Sequence, residues 1–466
     1  MTLELSGRAD AVDQTVGESL NVVGYLDGST HPDEYIVVSG HIDSWWSGAW
    51  DNTSSIAGML ELARVLSEAR EAGTFTNERT IVFASFGGEE FGGPSDTWYD
   101  WLIGSYEFVQ AHPEVVDGLV IDLNMDGVSL RPTAGKYWFE NTWEINGFID
   151  QAIGDLGLGK KVAFYNPTYS WTDAWSWSAK AGGSAVQGFW TAGQDAIYHT
   201  QLDNMDLVSR QPLRLILHLY ALMAARADRA LVMPYDFVDT VDWADWYLSK
   251  EAGAVPDLPE AFDAAATALE QLRAAAKAAN ASADDVRAAY EAATTDAERA
   301  AIRAEADALN AAMLDARRTI TVRTLGEGGT MGSWDVFLRP DQHVHDLCFV
   351  ERAISALDGG STGVHRALRA LVKVYSMEWG HLFSAQVYDS IFASMYGGDM
   401  YWGDDFDQQQ AYIDVHGIYT GLTDGTLSPA RAQEQLRDIK RTELLPWLET
   451  DLGSLEAAWT EAAATL

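Results

Sequence analysis

Between Leu20 and Leu231, short apolar runs alternate with amphipathic helical patterns, and this alternation confines the first half of the chain to an α/β fold. The runs are Leu20–Leu26, Tyr35–Ser39, Thr80–Phe86, Gly118–Asn124 and Ser184–Trp190, with a further candidate at Thr2–Ser6. Each is β-branched or apolar and bounded by turn-forming residues. Thr53–Ala72 puts Ile56, Met59, Leu60, Ala63 and Leu66 on one helical face, and Leu213–Leu231 does the same with Leu215, Leu219, Leu222 and Met223. A run such as Thr80–Phe86, apolar throughout, suits a parallel strand covered by helices on both faces.

The pattern changes near Met233–Pro234. Ala261–Thr319 is alanine-rich and charged, contains no Pro or Gly, and is interrupted only by the polar stretch Ala279–Asp284. It reads as a long helical hairpin with Ser282 capping the second arm. Thr319–Arg339 looks irregular, and Asp341–Leu357, Val364–Trp379 and Ser428–Leu452 look helical. The 466 residues suit two to three domains. The expected division is an α/β unit at 1–235 and a mainly helical unit at 236–466.

Charge and cysteine narrow the partners. Lys and Arg number 31 against 69 Asp and Glu, a formal charge of -38. Nucleic acid and anionic membrane surfaces need the opposite field, so neither is an expected partner. No apolar stretch is long enough to span a bilayer. The single cysteine, Cys348, excludes a disulfide framework and any site built from several thiolates. It falls in an apolar helical pattern and reads as an inert core thiol.

Chemistry-bearing residues fall at the strand-to-helix side of the expected sheet, where ligands bind in open α/β folds. His41 follows the strand Tyr35–Ser39 within Gly40-His41-Ile42-Asp43-Ser44, and Asp51-Asn52 opens the next helix. Phe86-Gly87-Gly88-Glu89-Glu90 ends another strand. Adjacent glutamates between glycines suit a pair in which one holds a metal and the other takes a proton from water. Asp126 ends a third strand, and Tyr198-His199 lies in a later loop. His, Asp and Glu ligands without Cys suit zinc or another borderline divalent ion in a catalytic site. Two ions bridged by one carboxylate need two histidines, a bridging Asp and two further carboxylates, and the sequence supplies that set with Glu89 left over.

GHIDSWWSGAWDN, RTIVFASFGGEEFG, LNMDG and YHT resemble, in order and spacing, the motifs of the two-zinc aminopeptidase and glutamate carboxypeptidase family, whose clan includes the transferrin receptor. Thr2–Leu26 resembles the strand pair that precedes the first motif there, and the helical region resembles the dimerisation domain of the carboxypeptidase branch. The resemblance implies a mixed, mostly parallel sheet flanked by helices, two Zn2+ ions, a peptide substrate and a homodimer formed through the helical domain. It implies that His41 and Asp126 bind one zinc, Glu90 and His199 the other, and that Asp51 bridges them. Glu89 would be the general base, Asp43 would orient His41, and Tyr198 would hydrogen-bond the oxyanion. A cis peptide bond between Asp51 and Asn52 is also implied.

The implied activity is that of a zinc exopeptidase, an aminopeptidase or dipeptidase before a carboxypeptidase. The family's Lys-Tyr pair for glutamate has no counterpart in its nearest match, Gln342-His343-Val344-His345. Those histidines alternate like strand positions and read as surface or packing residues, with substrate contact the other reading. A glutaminyl-cyclase-like single-zinc transferase and a non-catalytic receptor-like binding module are the rival readings. Members of the carboxypeptidase and transferrin-receptor branch carry several hundred residues before the first strand. A missing N-terminal segment would imply a secreted or cell-surface protein, and its absence a cytoplasmic one. Trp45, Trp46, Trp50, Trp171, Trp175, Trp177 and Trp190 lie near the motifs and could shape a pocket for apolar groups, Trp45 and Trp46 above all, or pack in the core.

Overall fold

The computed structural model describes residues 18–90, 102–130, 137–159, 162–169, 171–180, 182–190, 196–328, 335–377, 380–392 and 411–466. Seven strands form the main sheet: β1 (Val22–Leu26), β2 (His31–His41), β3 (Arg79–Phe86), β4 (Leu119–Met125), β5 (Tyr137–Asn141), β6 (Val162–Tyr165) and β7 (Ala185–Trp190), in the order β1-β3-β2-β4-β7-β5-β6. The pairs β2–β3, β2–β4, β4–β7 and β5–β6 are parallel, whereas β1–β3 and β5–β7 are antiparallel. The expected mixed, mostly parallel sheet is the one observed. Thr2–Ser6 lies outside the described residues, and β5 and β6 were not expected.

Helices α1 (Ser54–Glu71), α2 (Ile103–Ala111), α3 (Pro113–Asp117), α4 (Asn146–Asp155), α5 (Asp173–Trp175) and α6 (Arg210–Arg229) accompany the sheet. Side chains alternate along the strands, and both faces are buried. Ile36, Val38, Ile81 and Phe83 pack with Ile56, Met59, Leu219 and Met223 of α1 and α6. Val37, Val82 and Ala84 face the other way, with Phe108 and Val109 of α2 and Trp177.

The rest is mainly helical: α7 (Phe237–Ala254), α8 (Pro259–Ala292), α9 (Asp296–Thr324), α10 (Asp341–Leu357), α11 (Gly360–Leu371), α12 (Ala385–Ile391), α13 (His416–Asp424), α14 (Pro429–Ile439) and α15 (Leu445–Thr465). The hairpin α8–α9 exists, but its break falls at 293–295 and not at Ala279–Asp284. Ser282 lies inside α8, because an alanine-rich run carries its helix through one Ser at a cost of only a few tenths of a kcal/mol. Thr295 is the real cap. Its hydroxyl accepts from Glu298 N (3.2 Å), and the Glu298 carboxylate accepts from Thr295 N (2.9 Å).

Three further expectations need correction. α9 runs to Thr324, and Leu325–Gly328 then pairs antiparallel with Asp335–Leu338, so Thr319–Arg339 is not wholly irregular. α11 ends at Leu371 before a short turn at Tyr375–Met377, and Trp379 lies outside the described residues. Ser428 caps α14, but a wide turn at Lys440–Leu444 joins it to α15, which continues to Thr465.

Glu251, on α7, is a buried acid with neither carboxyl oxygen hydrogen-bonded among the described residues. Burial pushes its pKa well above the usual glutamate range, Asp341 and Asp451 add to the push, and Lys250 opposes it. A protonated Glu251 can donate to Asp341; an ionised one faces a second carboxylate. Above the ordinary value of 4.5, the folded protein keeps a proton that the unfolded chain has lost. Stability therefore falls as pH rises from there through the folded value. Glu251→Gln removes this fall and stabilises the protein at pH 8 by about 1–3 kcal/mol, with little gain near pH 4.5. Urea midpoints of both proteins across that range measure it, and parallel pH profiles would refute it.

Candidate metal centre

The three adjacent strands β3, β2 and β4 end at one edge. His41 is the last residue of β2 and pairs in register with Phe86, the last of β3. Glu89 and Glu90 follow three and four residues later, and Asp126 follows the end of β4 directly. Gly40 permits this convergence, since a Cβ there would sit 2.6 Å from the Met125 carbonyl oxygen. Asp51 comes from the turn Ala49–Thr53 that leads into α1, and His199 from the loop before α6.

Two groups of these side chains share Asp51, and a third joins His41 to Glu89 and Glu90. Asp51 Oδ1 lies 3.2 Å from His41 Nε2, and its Oδ2 lies 3.4 Å from His199 Nε2. His41 Nε2 is also 3.4 Å from Asp126 Oδ1, and His199 Nε2 is 2.8 Å from Glu90 Oε2. Ligand atoms of His41, Asp51 and Asp126 lie within 4.8 Å of one another, as do those of Asp51, Glu90 and His199. Glu89 stands farther from His41, at 3.9 Å. The Tyr198 ring stacks on the His199 imidazole with centroids 3.7 Å apart.

The supporting layer contains residues that the motifs do not mark. The Asp43 carboxylate accepts the backbone N–H groups of Glu89 (3.1 Å) and Glu90 (2.9 Å), so it fixes the glutamate loop. His41 Nδ1 lies closer to the Asp43 carbonyl oxygen (3.0 Å) than to its carboxylate (3.7 Å). A proton on Nδ1 donated to that carbonyl leaves Nε2 free as a ligand. Asn52 donates to the Met125 carbonyl (2.9 Å), and the bond between Asp51 and Asn52 is cis, as the resemblance implied.

Asp203 was missed at the sequence level. Its two oxygens accept from Trp50 N (2.8 Å) and Asp51 N (3.0 Å), which clamps the shared carboxylate's backbone. One Asp in a polar loop is no signal by itself; its position four residues after His199 was the available cue. Asp203→Ala should weaken metal retention about 10- to 100-fold, as loss of a supporting hydrogen bond typically does. Asp203→Asn keeps one acceptor and should recover part of it. Chelator competition on folded protein reads the effect, and unchanged retention in the alanine variant would discard the clamp.

Charge decides what the centre can hold. Asp51, Glu89, Glu90 and Asp126 crowd two imidazoles in a buried place, and no Lys or Arg among the described residues pairs with them. Glu90 Oε1 is buried without a hydrogen-bond partner among the described residues. Burial, opposed by His41, pushes Glu89 well above the usual range, and the charges of Asp173, Asp126 and Glu90 add to it. Asp173 is itself buried with both oxygens unpartnered among the described residues, and burial raises it to about 7. Such a set is costly alone and fits divalent cations, which satisfy imidazole and carboxylate together.

The other candidates separate. Trp50, Trp175 and Trp177 are fully buried, whereas Trp45, Trp46 and Trp171 are exposed. Trp190 carries no described side-chain environment. Cys348 is half-buried against the core. His343 and His345 do not alternate on a strand but lie in the first turns of α10. His343 is buried, with Nδ1 2.7 Å from Asp451 Oδ2 and Nε2 3.1 Å from the Ala411 carbonyl oxygen. A helical start at Asp341 turns it into the bundle, so it packs. No helix among the described residues is long and apolar enough to cross a membrane.

Residues 21–224 match the model for Peptidase family M28. Aminopeptidase NAALADL1 of Rattus norvegicus is 44% identical over 92 residues, 20% of this chain and 11% of that protein. The glutamate carboxypeptidase 2 homolog of Caenorhabditis elegans is 37% identical over 107 residues, 23% of this chain and 13% of that protein. The similarity thus spans little more than a tenth of either relative's length. Among solved structures, a zinc aminopeptidase from Bacillus subtilis is similar with a TM-score of 0.37 and 22% identity, over 44% of this chain and 49% of that one. Residues 21–224, which contain all eight side chains singled out by the motifs, are a peptidase family M28 domain.

Proposed function

We propose that this chain is a zinc-dependent exopeptidase, an aminopeptidase or dipeptidase, that works with two metal ions. The observation that carries the reading is Asp51, whose two oxygens face two histidines, each with a further carboxylate of its own. In this reading His41 and Asp126 hold one ion, Glu90 and His199 the other, and Asp51 serves both. When bound, the ions polarise the scissile carbonyl and lower the pKa of water. Glu89 takes the proton from the attacking water and returns it to the leaving amine. Tyr198 donates to the carbonyl oxygen as it gains charge. Asp43 and Asp203 act through the backbone, holding the glutamate loop and Asp51 where those transfers need them.

In the same reading 1–235 is the catalytic unit, and 236–466 is a helical unit through which two copies pair. A monomer mass in sedimentation equilibrium would remove the pairing.

Metal content per chain, after zinc loading and desalting, tests the centre. About two ions, with dipeptide hydrolysis lost on chelation and restored by zinc, is the expected result. One ion, or hydrolysis indifferent to chelator, would overturn it.

A further inference from the structure

The two ligand-bearing loops carry apolar surface that the fold does not use. Ile42, Trp45 and Trp46 follow His41, and Leu202, Met205 and Leu207 follow His199. They are exposed by 47, 37, 62, 53, 71 and 37% respectively. Single exposed apolar side chains are ordinary, but a concentration of them beside a site marks a binding surface. Trp45 faces the site directly, with its ring centroid 5.8 Å from that of His199 and 6.0 Å from that of Trp46. The second loop is tied to the first, because Asp203, between Leu202 and Met205, holds the backbone of Trp50 and Asp51.

Trp46 is the sharpest case. Its φ is 50°, a left-handed conformation that bulky side chains rarely adopt. The turn is closed tightly by the bond from Gly48 N to the Trp45 carbonyl (3.0 Å). Gly48 has φ 39°, and a Cβ there would lie 2.2 Å from Ser44 Cβ. A strained backbone that presents a mostly exposed indole gains nothing from core burial, so its use lies outside the fold. Neither 42–48 nor 198–207 contains a Lys or Arg, and both contain aspartates. An acidic side chain entering here would meet those aspartates and find no cationic partner within these two segments.

We propose that this rim is the side-chain specificity site, and that it takes a large apolar or aromatic side chain of the residue flanking the scissile bond. The proposal rests on the exopeptidase reading and names its substrate class.

The test uses the zinc-loaded full chain and dipeptides in which one position varies among Phe, Leu, Ala, Glu and Lys, at either end. At one end, Phe and Leu should exceed Ala in kcat/KM by about tenfold or more, with Glu poorest. In a Trp46→Ala/Met205→Ala double variant the Phe-to-Ala ratio should collapse towards one. Trp246→Ala, an equally exposed indole on α7, should leave the ratio as it was. Equal rates for Phe and Ala in the parent protein, or a preference that survives the double variant, overturn the proposal while the exopeptidase reading stands. Hydrolysis of no dipeptide sinks that reading instead. The rim is then decided by equilibrium binding of phenylalanine, alanine and glutamate hydroxamates, where a Phe preference lost in the double variant supports it and equal binding overturns it.

Discussion

With Glu89 as the proposed general base, Glu89→Gln is expected to lower kcat for dipeptide hydrolysis about a thousandfold and to leave the metal content unchanged. An amide of the same shape cannot accept the proton of the attacking water, and a positioned general base is worth about 10²- to 10⁴-fold. Both glutamates lie within reach of His41, and the proposed roles divide them by their distance to a histidine. Glu89 is 3.9 Å from His41, whereas Glu90 is 2.8 Å from His199. The loop that carries both is held through its backbone by Asp43, so the change at Glu89 need not move Glu90. Glu90→Gln should therefore behave differently and lose metal as well as rate. Steady-state kinetics at saturating substrate, with metal analysis of the same samples, distinguishes the two. A Glu89→Gln protein that hydrolyses at the parental rate, or that loses metal, would show that the roles have been assigned to the wrong glutamates.

The difference between what the sequence showed and what it hid follows from how local the signal is. His41, Glu89, Glu90 and Asp126 were readable because each sits within four residues of the end of a strongly apolar strand. β5 and β6 were not: five and four residues long, they are too short for a periodicity to form. Ser282 looked like a cap because Asn, Ser and Asp cluster around it. The competing site at Thr295 has Glu298 three residues on, where Ser282 has the shorter Asp285, and the reciprocal pair formed by Thr295 and Glu298 decides where the helix restarts. Asp203 was hidden because its work is done on backbone N–H groups 152 and 153 residues away. Asn310 and Arg317 were legible in principle. On α9 the buried residues Ala306, Asn310, Met313, Arg317, Ile320 and Thr324 recur at spacings of four and three. A polar residue on such a stripe has to be hydrogen-bonded to something beyond its own helix.

Arg317→Met is expected to destabilise the protein by about 3–5 kcal/mol, the cost of leaving three buried neutral acceptors without their donor. The guanidinium is fully buried. Its Nε donates to the Gly182 carbonyl (2.9 Å), and its Nη1 donates to the Leu119 carbonyl (2.7 Å) and the Tyr235 hydroxyl (2.7 Å). Leu119 opens β4 and Gly182 precedes β7, so one helical side chain holds the entries of two adjacent central strands. Gly182 lets α9 come this close: its φ is 64°, and a Cβ would lie 2.9 Å from Arg318 Cα. Methionine fills much of the volume but leaves two carbonyls and a hydroxyl without their donor, each a desolvated group. Lysine restores the charge yet cannot span the fork, so Arg317→Lys should fall between the two. The loss should appear as a lower urea midpoint and a lower Tm, while metal content of the folded fraction stays near that of the parent, because Asp126 lies at the opposite end of β4. A methionine variant as stable as the parent would mean that α9 is held to the sheet by apolar packing alone, with Arg317 a passenger on its buried stripe.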